Sequence, residues 1–334
     1  MAAPPCVSLI PQLTEGPRGW GYRGLQFHAR LEPRLGLSFL GALLNLTAYI
    51  DPTLCRRCGI CVIECGRHLA TASGNTVDLS SPLCSQCFHC LAICPRGAIR
   101  LKAGDVTEVF AYQGASPVLP EDLLRLLSLR RSHRDFEDRE VEPELVDELM
   151  QAASYIPSGG NRRSHRFIAL GRTETRAKLL EEIRNVYRKR VRIIQSPFLS
   201  TLLRPFLSPG NREFLTDVVY RERMIDLIAR LGAGEDPVFY SAPLVFVIYS
   251  ATLIPTPDKD AILAAYAMNL MADSLGLGAC MVSLAQNAVN SSPSCKKTLG
   301  IPSRAHVNAV LVVGHPRKNF QRSAPRERPT PVWL

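Results

Sequence analysis

Residues 55–65 read CRRCGICVIEC and residues 84–95 read CSQCFHCLAICP. Each cysteine of the second stretch follows its counterpart in the first by 29 residues, and Arg96 follows Arg67 by the same interval. Eight of the 11 cysteines lie in these stretches, which is too dense and too regular for scattered core thiols. The segment is therefore an internal duplication built around cysteine.

The x2, x2, x3 spacing within each stretch suits an iron–sulfur cubane. Three thiolates from one tight loop can hold three corners while the fourth ligand comes from a helix start elsewhere, so the two loops exchange their fourth ligands. Zinc is the metal alternative, although structural zinc sites use pairs of ligands separated by longer gaps. A disulfide framework is a third alternative, and the cytosolic character of the rest of the chain argues against it.

Residues 46–104 resemble a bacterial two-cluster ferredoxin. The second stretch matches the C-x2-C-x2-C-x3-C-P signature in full, while the first has Gly66 where that signature has proline. The resemblance implies a ferredoxin-like fold with two [4Fe-4S] clusters. It assigns Cys55, Cys58, Cys61 and Cys94 to one cluster. It assigns Cys84, Cys87, Cys90 and Cys65 to the other.

The remaining cysteines are Cys6, Cys280 and Cys295. We interpret them as small buried or incidental thiols and propose none as a nucleophile.

Length and composition leave room for a second domain. The chain has 334 residues, 46% of them apolar and 21% charged, which excludes disordered and collagen-like classes. The formal charge of +10 favours anionic ligands without choosing among them. No G-x-G-x-x-G follows a predicted strand and no P-loop motif occurs, so neither a Rossmann dinucleotide site nor a P-loop is visible.

The N-terminal extension, residues 1–45, receives no function. Its apolar run, residues 35–50, has 16 residues, whereas a membrane span needs roughly 20 apolar residues. The run also contains Gly36, Gly41 and Asn45. We read the extension as a poorly ordered tail or an overextended start, and the LTAYID sequence at its end as a strand. We expect a cytoplasmic protein without a membrane partner.

Two helices are predicted after a linker at residues 105–120. The first begins near Pro120, and Leu123, Leu124 and Leu127 give it an apolar face. The second lies in VEPELVDELMQAA (141–153), where Leu145, Leu149 and Ala153 form a buried face at i, i+4 and i+8.

Two strands and a helix complete the pattern. PLVFVIYS (243–250) and HVNAVLVV (306–313) are continuous β-branched runs typical of central strands. They are separated by a predicted helix over residues 260–275. The fold class is therefore α+β, with helices around a sheet.

Most of residues 121–334 resemble the FMN-dependent nitroreductase family. The matching landmarks are RRSHRDF (130–136), PSGGNRRSHRF (157–167), FYSAPLVFVIY (239–249), SLGLGACMVSL (274–284) and VVGHP (312–316). The resemblance implies a homodimer with two flavins at its interface. It further implies that Ser158, Gly159 and Asn161 reach the flavin of the partner subunit.

The residues of these landmarks suit FMN chemically. The cofactor needs cations for its phosphate and hydrogen-bond donors for its ring edge, and glycine permits close backbone approach. The predicted contacts are Arg130, Arg131, Ser132, Arg134, Pro157, Ser158, Gly159, Asn161, Arg163, Gly276, Gly278, Arg326 and Arg328. Gly278 equally suits a helix C-terminus. For Arg326 and Arg328, each taken singly, we interpret the charge first as solvated surface and second as a phosphate contact.

The sequence departs from the family at two positions. Arg163 stands where glutamine is common and His165 where tryptophan is common, which suggests an anionic substrate. His165 is either a surface-loop histidine or a proton donor. We assign no catalytic residue.

A basic run lies where the family has its variable substrate lid, in a helical stretch between residues 179 and 236. It comprises Arg188, Lys189, Arg190 and Arg192. We interpret it first as a solvated helix face and second as recognition of an acidic substrate or nucleic acid. Because no nucleic-acid module accompanies it, we expect no nucleic-acid partner.

The first functional hypothesis is an iron–sulfur flavoprotein oxidoreductase. A low-potential donor would reduce the clusters, the clusters would reduce FMN, and FMN would reduce a small electrophile such as a nitro compound, a quinone or an activated alkene. The alternatives are direct reduction of FMN by NAD(P)H with an accessory ferredoxin domain, an iron–sulfur redox sensor, and a dehalogenase or ligand-modifying variant of the fold.

Overall fold

A computed structural model of the chain describes residues 48–67, 69–71, 73–102, 109–110, 118–203, 205, 217–251 and 256–333. Residues Leu46–Leu334 form one compact unit. The predicted N-terminal extension, Cys6 and most of the predicted linker lie outside the described residues.

The cysteine-rich part is framed by a two-stranded antiparallel sheet. Strand β1 (Ala48–Ile50), at the predicted LTAYID position, pairs with β2 (Ile99–Leu101). Two short helices, α1 (Ile60–Ile63) and α2 (His89–Ile93), occupy equivalent places in the two repeats. A small core of Val77, Cys90 and Ile99 lies among these elements.

The C-terminal part is built on a four-stranded antiparallel sheet in the order β3-β4-β6-β5. Its strands are β3 (Arg166–Leu170), β4 (Leu244–Ala251), β5 (Gly278–Met281) and β6 (Ala305–Gly314). The two predicted central strands are confirmed as β4 and β6. Both faces of β4 are buried, Val245 and Val247 in one core and Phe246 and Ile248 in the other, which explains its continuous apolar sequence.

Helices cover both faces of this sheet. Their bounds are α3 (Pro120–Leu129), α4 (Pro143–Ser154), α5 (Glu174–Gln195), α6 (Pro197–Leu203), α7 (Val218–Gly232), α8 (Pro257–Ser274), α9 (Ser283–Ser291) and α10 (Pro293–Thr298). Helices α4 and α8 share one core, and α5, α7 and α9 share the other. The predicted buried face of α4 is confirmed, with Leu149 and Ala153 buried and Leu145 half-buried.

Helix α3 begins at Pro120 as predicted, but its apolar face is exposed. Leu123, Leu124 and Leu127 are 48%, 67% and 37% exposed. No residue of this helix is buried by the part of the chain that the structure describes.

The basic run lies on α5, whose buried row is Leu179, Ile183, Tyr187 and Val191. Lys189 and Arg192 are exposed, while Arg188 bonds to Asn185 and Arg190 bonds to Ser291. This arrangement agrees with the solvated-face interpretation. Among the described helices, none combines the length and the apolar character that crossing a bilayer requires.

Candidate cofactor sites

Four cysteines line one cavity in the N-terminal part. They are Cys55, Cys58, Cys61 and Cys94, the set that the ferredoxin resemblance assigns to one cluster. The cavity holds about 400 Å³ of atom-free space including its open mouth, and Ile50 and Ile99 contribute apolar walls. The backbone N–H of Ala98 donates to Cys94 Sγ at 3.3 Å. Such bonds to cluster sulfurs help to set reduction potentials.

The two cysteine loops have the same unusual backbone. Arg57 and Gln86, at equivalent positions, are left-handed with φ of 53° and 51°. Gly59 and Phe88, also equivalent, have φ of 76° and 58° and begin the two short helices. In each loop the two left-handed residues flank a cysteine, Cys58 or Cys87, whose φ is not positive, and loops in which the sign of φ alternates bind anions at many iron–sulfur sites. Both loops therefore fit an anionic cluster.

Three cysteines of the second set, Cys84, Cys87 and Cys90, lie close enough to affect one another electrostatically. Burial raises the pKa of Cys90 to about 11, and the neighbouring Cys87 and Cys84 add to the increase. Cys65 packs against the small core that contains Cys90. The ten cysteines in the described ranges are free thiols, and no three Cys, His, Asp or Glu side chains there form a single-ion metal site.

Cys280 and Cys295 are buried, on β5 and α10, so the interpretation as small buried thiols is confirmed for these two. Burial raises the pKa of Cys295, which keeps it a protonated thiol.

The basic segment 130–134 runs beside β5. Ser132 forms a parallel bridge with Ala279, and the His133 N–H donates to the Ala279 carbonyl at 3.1 Å. Gly278 makes this approach possible, because a Cβ on it would lie 2.7 Å from His133 Cβ. The structural role of Gly278 is therefore close packing under the basic segment.

Gly276, not Gly278, terminates helix α8. Its φ is 74°, and the Leu277 N–H donates to the Ala272 carbonyl at 2.8 Å as in a Schellman motif. The helix-terminus alternative for Gly278 is wrong. Contacts of either glycine with a flavin stay a prediction.

The basic segment contains a buried N–H donor without a described hydrogen-bond partner, on an arginine whose charge also acts on Asp273. Arg130 Nε is buried and has no hydrogen-bond partner among the residues described. Arg131 and Ser132 are half-buried beside it, and Arg134 is exposed with its guanidinium 5.8 Å from the Tyr240 ring centroid. A buried donor without a partner is unusual in a native fold, so this site fits an anion.

The loop 157–163 is anchored on the start of helix α8. The Gly159 N–H donates to both carboxylate oxygens of buried Asp260 at 3.3 Å, and a Cβ on Gly159 would lie 2.2 Å from Thr256 Oγ1. The Arg163 N–H donates to Ser158 Oγ at 3.1 Å. Sequence reasoning missed Asp260, although a carboxylate on the buried face of a helix's first turn was the available signal.

Asn161 reaches the second cysteine loop. Its Nδ2 donates to the carbonyl oxygens of Ser85, at 2.9 Å, and Gln86, at 3.0 Å. Both amide hydrogens are thereby used, leaving Oδ1 as the side-chain atom for any cofactor. Pro157 and Arg163, in the same loop, are exposed. The predicted flavin contacts of all three residues stay predictions.

His165 is 9% exposed, so its interpretation as a surface-loop histidine is wrong. Its ring packs edge-on against Phe167 at 5.3 Å, and its Nδ1 has no partner within the described residues. Burial lowers its pKa, which Asp260 opposes and the cations of Arg166 and Arg163 lower further. The imidazole is therefore neutral at pH 7.

The predicted tail arginines, Arg326 and Arg328, are exposed. The tail instead reaches the basic segment through two residues that sequence reasoning missed. Arg317 binds Asp135 Oδ1 at 3.1 Å and the Phe136 carbonyl at 2.7 Å, and the Phe320 ring lies 5.0 Å from that of His133. The position of Arg317 directly after VVGHP was the available signal.

Two protein-family models match the chain, at separate stretches of the sequence. Residues 127–315 match the nitroreductase family, and residues 47–95 match a 4Fe-4S dicluster domain. No curated protein matches the chain.

Two solved structures illustrate the likeness of the C-terminal part. A nitroreductase with bound FMN from Bacteroides fragilis is 18% identical, over 64% of this chain and 98% of that one, with a TM-score of 0.48. A nitroreductase with bound FMN from Desulfitobacterium hafniense is 22% identical, over 63% and 97%, with a TM-score of 0.47.

Proposed function

The chain belongs to the nitroreductase family, and we propose that it is an FMN-dependent iron–sulfur oxidoreductase. Single electrons pass from two [4Fe-4S] clusters to FMN, and a small electrophilic acceptor is reduced: a nitro compound, a quinone or an activated alkene. The observation that carries this proposal is the cavity lined by Cys55, Cys58, Cys61 and Cys94, within the same compact unit as the nitroreductase part.

The protein's contribution at the flavin site is binding and orientation. Arg130, whose buried Nε lacks a described partner, would hold the phosphate together with Arg131 and Ser132. FMN, when bound, supplies the exchange between one-electron and two-electron chemistry. Since the neutral His165 carries no charge at pH 7, the positive charge in and beside the 157–163 loop comes from Arg162, Arg163 and Arg166. These cations favour an electron-rich ring and an anionic substrate.

The electron donor proposed here is a one-electron carrier protein with an acidic face. Arg56 and Arg96 line the first cysteine cavity and are exposed at its mouth. Neither has a carboxylate partner within 4 Å among the described side chains. Oriented cations at such a mouth accelerate association with an acidic protein in a salt-dependent way.

A homodimer is the proposed assembly. Helix α3 contacts helix α8, and both helices carry exposed apolar side chains: Leu124 on α3 is 67% exposed, and Ile262 and Leu263 on α8 are 50% and 42% exposed. Large exposed apolar side chains that form a patch mark an interaction site. We place the protein in the cytoplasm, where a reducing environment preserves cysteine thiolates as ligands.

Anaerobic cofactor analysis tests the proposal. About eight irons and one FMN per chain are expected, with rapid bleaching by dithionite and slow bleaching by NADH. Flavin without iron would refute the role of the cysteine-rich part, and iron without flavin would favour a redox sensor. Rapid flavin reduction by NADH alone would favour the direct nicotinamide route.

A further inference from the structure

One side chain connects the second cysteine loop to the nitroreductase part. Asn161 Nδ2 donates to the carbonyl oxygens of Ser85 and Gln86, at 2.9 and 3.0 Å, and both acceptors lie between Cys84 and Cys87. The three residues are half-buried, so these bonds are partly shielded from water. Because the acceptors are two consecutive peptide groups, the contact fixes the loop in orientation as well as position.

Asn161 is itself held firmly. Its N–H donates to the Ser158 carbonyl at 2.9 Å, and its φ of 55° places it in the left-handed region. Two residues earlier, Gly159 is bound by the buried carboxylate of Asp260 on helix α8. The side chain that bonds to the cysteine loop is thus held by helix α8, which also anchors the predicted flavin-binding loop 157–163.

The hydrogen bonds from Asn161 also constrain the peptide groups of the loop that would surround the second cluster. Gln86 has a left-handed backbone, and in anion-binding loops such residues point consecutive N–H groups to one side of the chain. Asn161 donates hydrogen bonds to the carbonyl oxygens of Ser85 and Gln86. Without these bonds, the two oxygens of this half-buried loop would have to bond to water. We therefore expect removal of the amide to loosen the two peptide groups that lie between Cys84 and Cys87.

The first cysteine cavity differs from the second loop in its cations and not in thiol exposure. It opens to solvent, and Arg56 and Arg96 are exposed residues of its lining. One thiol of each loop, Cys58 and Cys87, is exposed, but only the second loop is bonded to Asn161 among the described residues. An external donor can approach this cavity, whereas the second loop is attached to the flavin-bearing part.

We infer that Asn161 is the positioning residue that makes the second cluster the internal electron outlet to FMN, while the first cluster receives electrons from the donor. This inference rests on the proposed function. In each transfer the second cluster loses one electron and the flavin gains one, and the first cluster then re-reduces the second. Two transfers, with protons from water, match the two electrons that the acceptor takes.

Replacement of Asn161 by aspartate tests the inference in the anaerobic holoprotein. Asn161→Asp has nearly the same shape, but it loses both donors and sets a negative charge against two carbonyl oxygens. The matched control is Asn185→Asp, the same chemical change on the exposed surface of α5. Asn161→Gln, which keeps the amide donors, is the conservative variant.

Three readouts are expected to change in Asn161→Asp and not in the control. In a redox titration followed by electron paramagnetic resonance, one of the two cluster steps moves to a more negative potential, because negative charge near a cluster disfavours its reduction. After mixing with dithionite, iron–sulfur bleaching keeps its rate while flavin bleaching slows several-fold. Amide hydrogen exchange across residues 84–90 becomes faster. Asn161→Gln recovers part of each change.

Unchanged potentials and an unchanged flavin-bleaching rate in Asn161→Asp, with wild-type iron and FMN content, would overturn the inference while leaving the proposed function intact. Equal shifts in the reduction potentials of both clusters would also overturn the inference, because, of the two cysteine loops, Asn161 contacts only the second among the described residues. If the wild-type protein lacks FMN or iron, the proposed function fails instead.

Discussion

His165 is a buried side chain whose charge depends on folding. Burial lowers its pKa below the ordinary value of 6.5, Asp260 opposes this shift, and the nearby cations of Arg166 and Arg163 add to it. The pKa of His133 is also lowered, chiefly by burial. Between the lowered pKa values and 6.5, the unfolded chain binds more protons than the folded one, so stability is lost as pH falls.

Replacing His165 by glutamine should reduce this pH dependence. We expect the wild-type free energy of unfolding to fall between pH 7.5 and pH 6.0, and to fall less in His165→Gln. The difference is at most about 1.4 kcal/mol per pH unit, the limit for one proton. Anaerobic urea denaturation at both pH values measures it, with His306→Gln, an exposed histidine on β6, as control. Identical pH dependence in wild type and His165→Gln would contradict the argument.

At the scale of residues, the sequence motifs predicted which cysteines share a site. They did not predict which side chains are buried by packing against distant segments. The ferredoxin resemblance assigned Cys94 to one cluster with Cys55, and the structure places both residues in the lining of one cavity. The burial of His165 and the anchoring role of Asp260 depend on contacts between segments about a hundred residues apart in sequence. No local pattern contains that information.

The buried ion pair between Arg176 and Asp236 joins helix α5 to the segment before β4. Arg176 Nη2 lies 3.4 Å from the carboxylate, Nη1 donates to the Ala242 carbonyl, and the guanidinium stands 5.5 Å from the Phe239 ring centroid. Asp236 also accepts from the Phe239 N–H at 2.7 Å. Loss of the cation leaves the Ala242 carbonyl oxygen without this donor and leaves the largely buried carboxylate of Asp236 with backbone N–H donors but without this neutralising charge.

We expect Arg176→Met to lower the free energy of unfolding by about 3–5 kcal/mol, as for other broken buried pairs. The control is Arg230→Met, whose exposed pair with Glu235, at 2.7 Å, should be worth less than about 1 kcal/mol. Guanidinium denaturation of both variants, with the slope of the transition compared, provides the measurement. Equal destabilisation by the two substitutions would show that burial of the pair has no special effect.

At the scale of elements, hydrophobic periodicity predicted the helices and strands whose apolar residues are buried within this chain. The two central strands were predictable because both faces are covered, which makes the whole run apolar. Helix α3 was predictable in position, but the sequence could not say that its leucines face outward. What an apolar face packs against depends on elements distant in sequence or on another chain.

For the whole molecule, the proposed homodimer gives the exposed leucines of α3 a partner. Leu124 is 67% exposed. A carboxylate at this position would be buried without a partner if α3 forms the interface, and such a charge is strongly disfavoured. Since the family resemblance supplies part of each flavin site from the partner subunit, dissociation should also release FMN.

We therefore expect Leu124→Glu to be a monomer with substoichiometric FMN, while the wild-type protein is a dimer. The control is Val219→Glu, a similar change at a residue that is 59% exposed on helix α7, and it should remain dimeric with full FMN. Light scattering after size-exclusion chromatography gives the mass, and flavin released on denaturation gives the FMN content. A dimeric Leu124→Glu variant with full FMN content would exclude α3 from the interface. A monomeric wild-type protein with full FMN content would show that each chain binds FMN without a partner subunit.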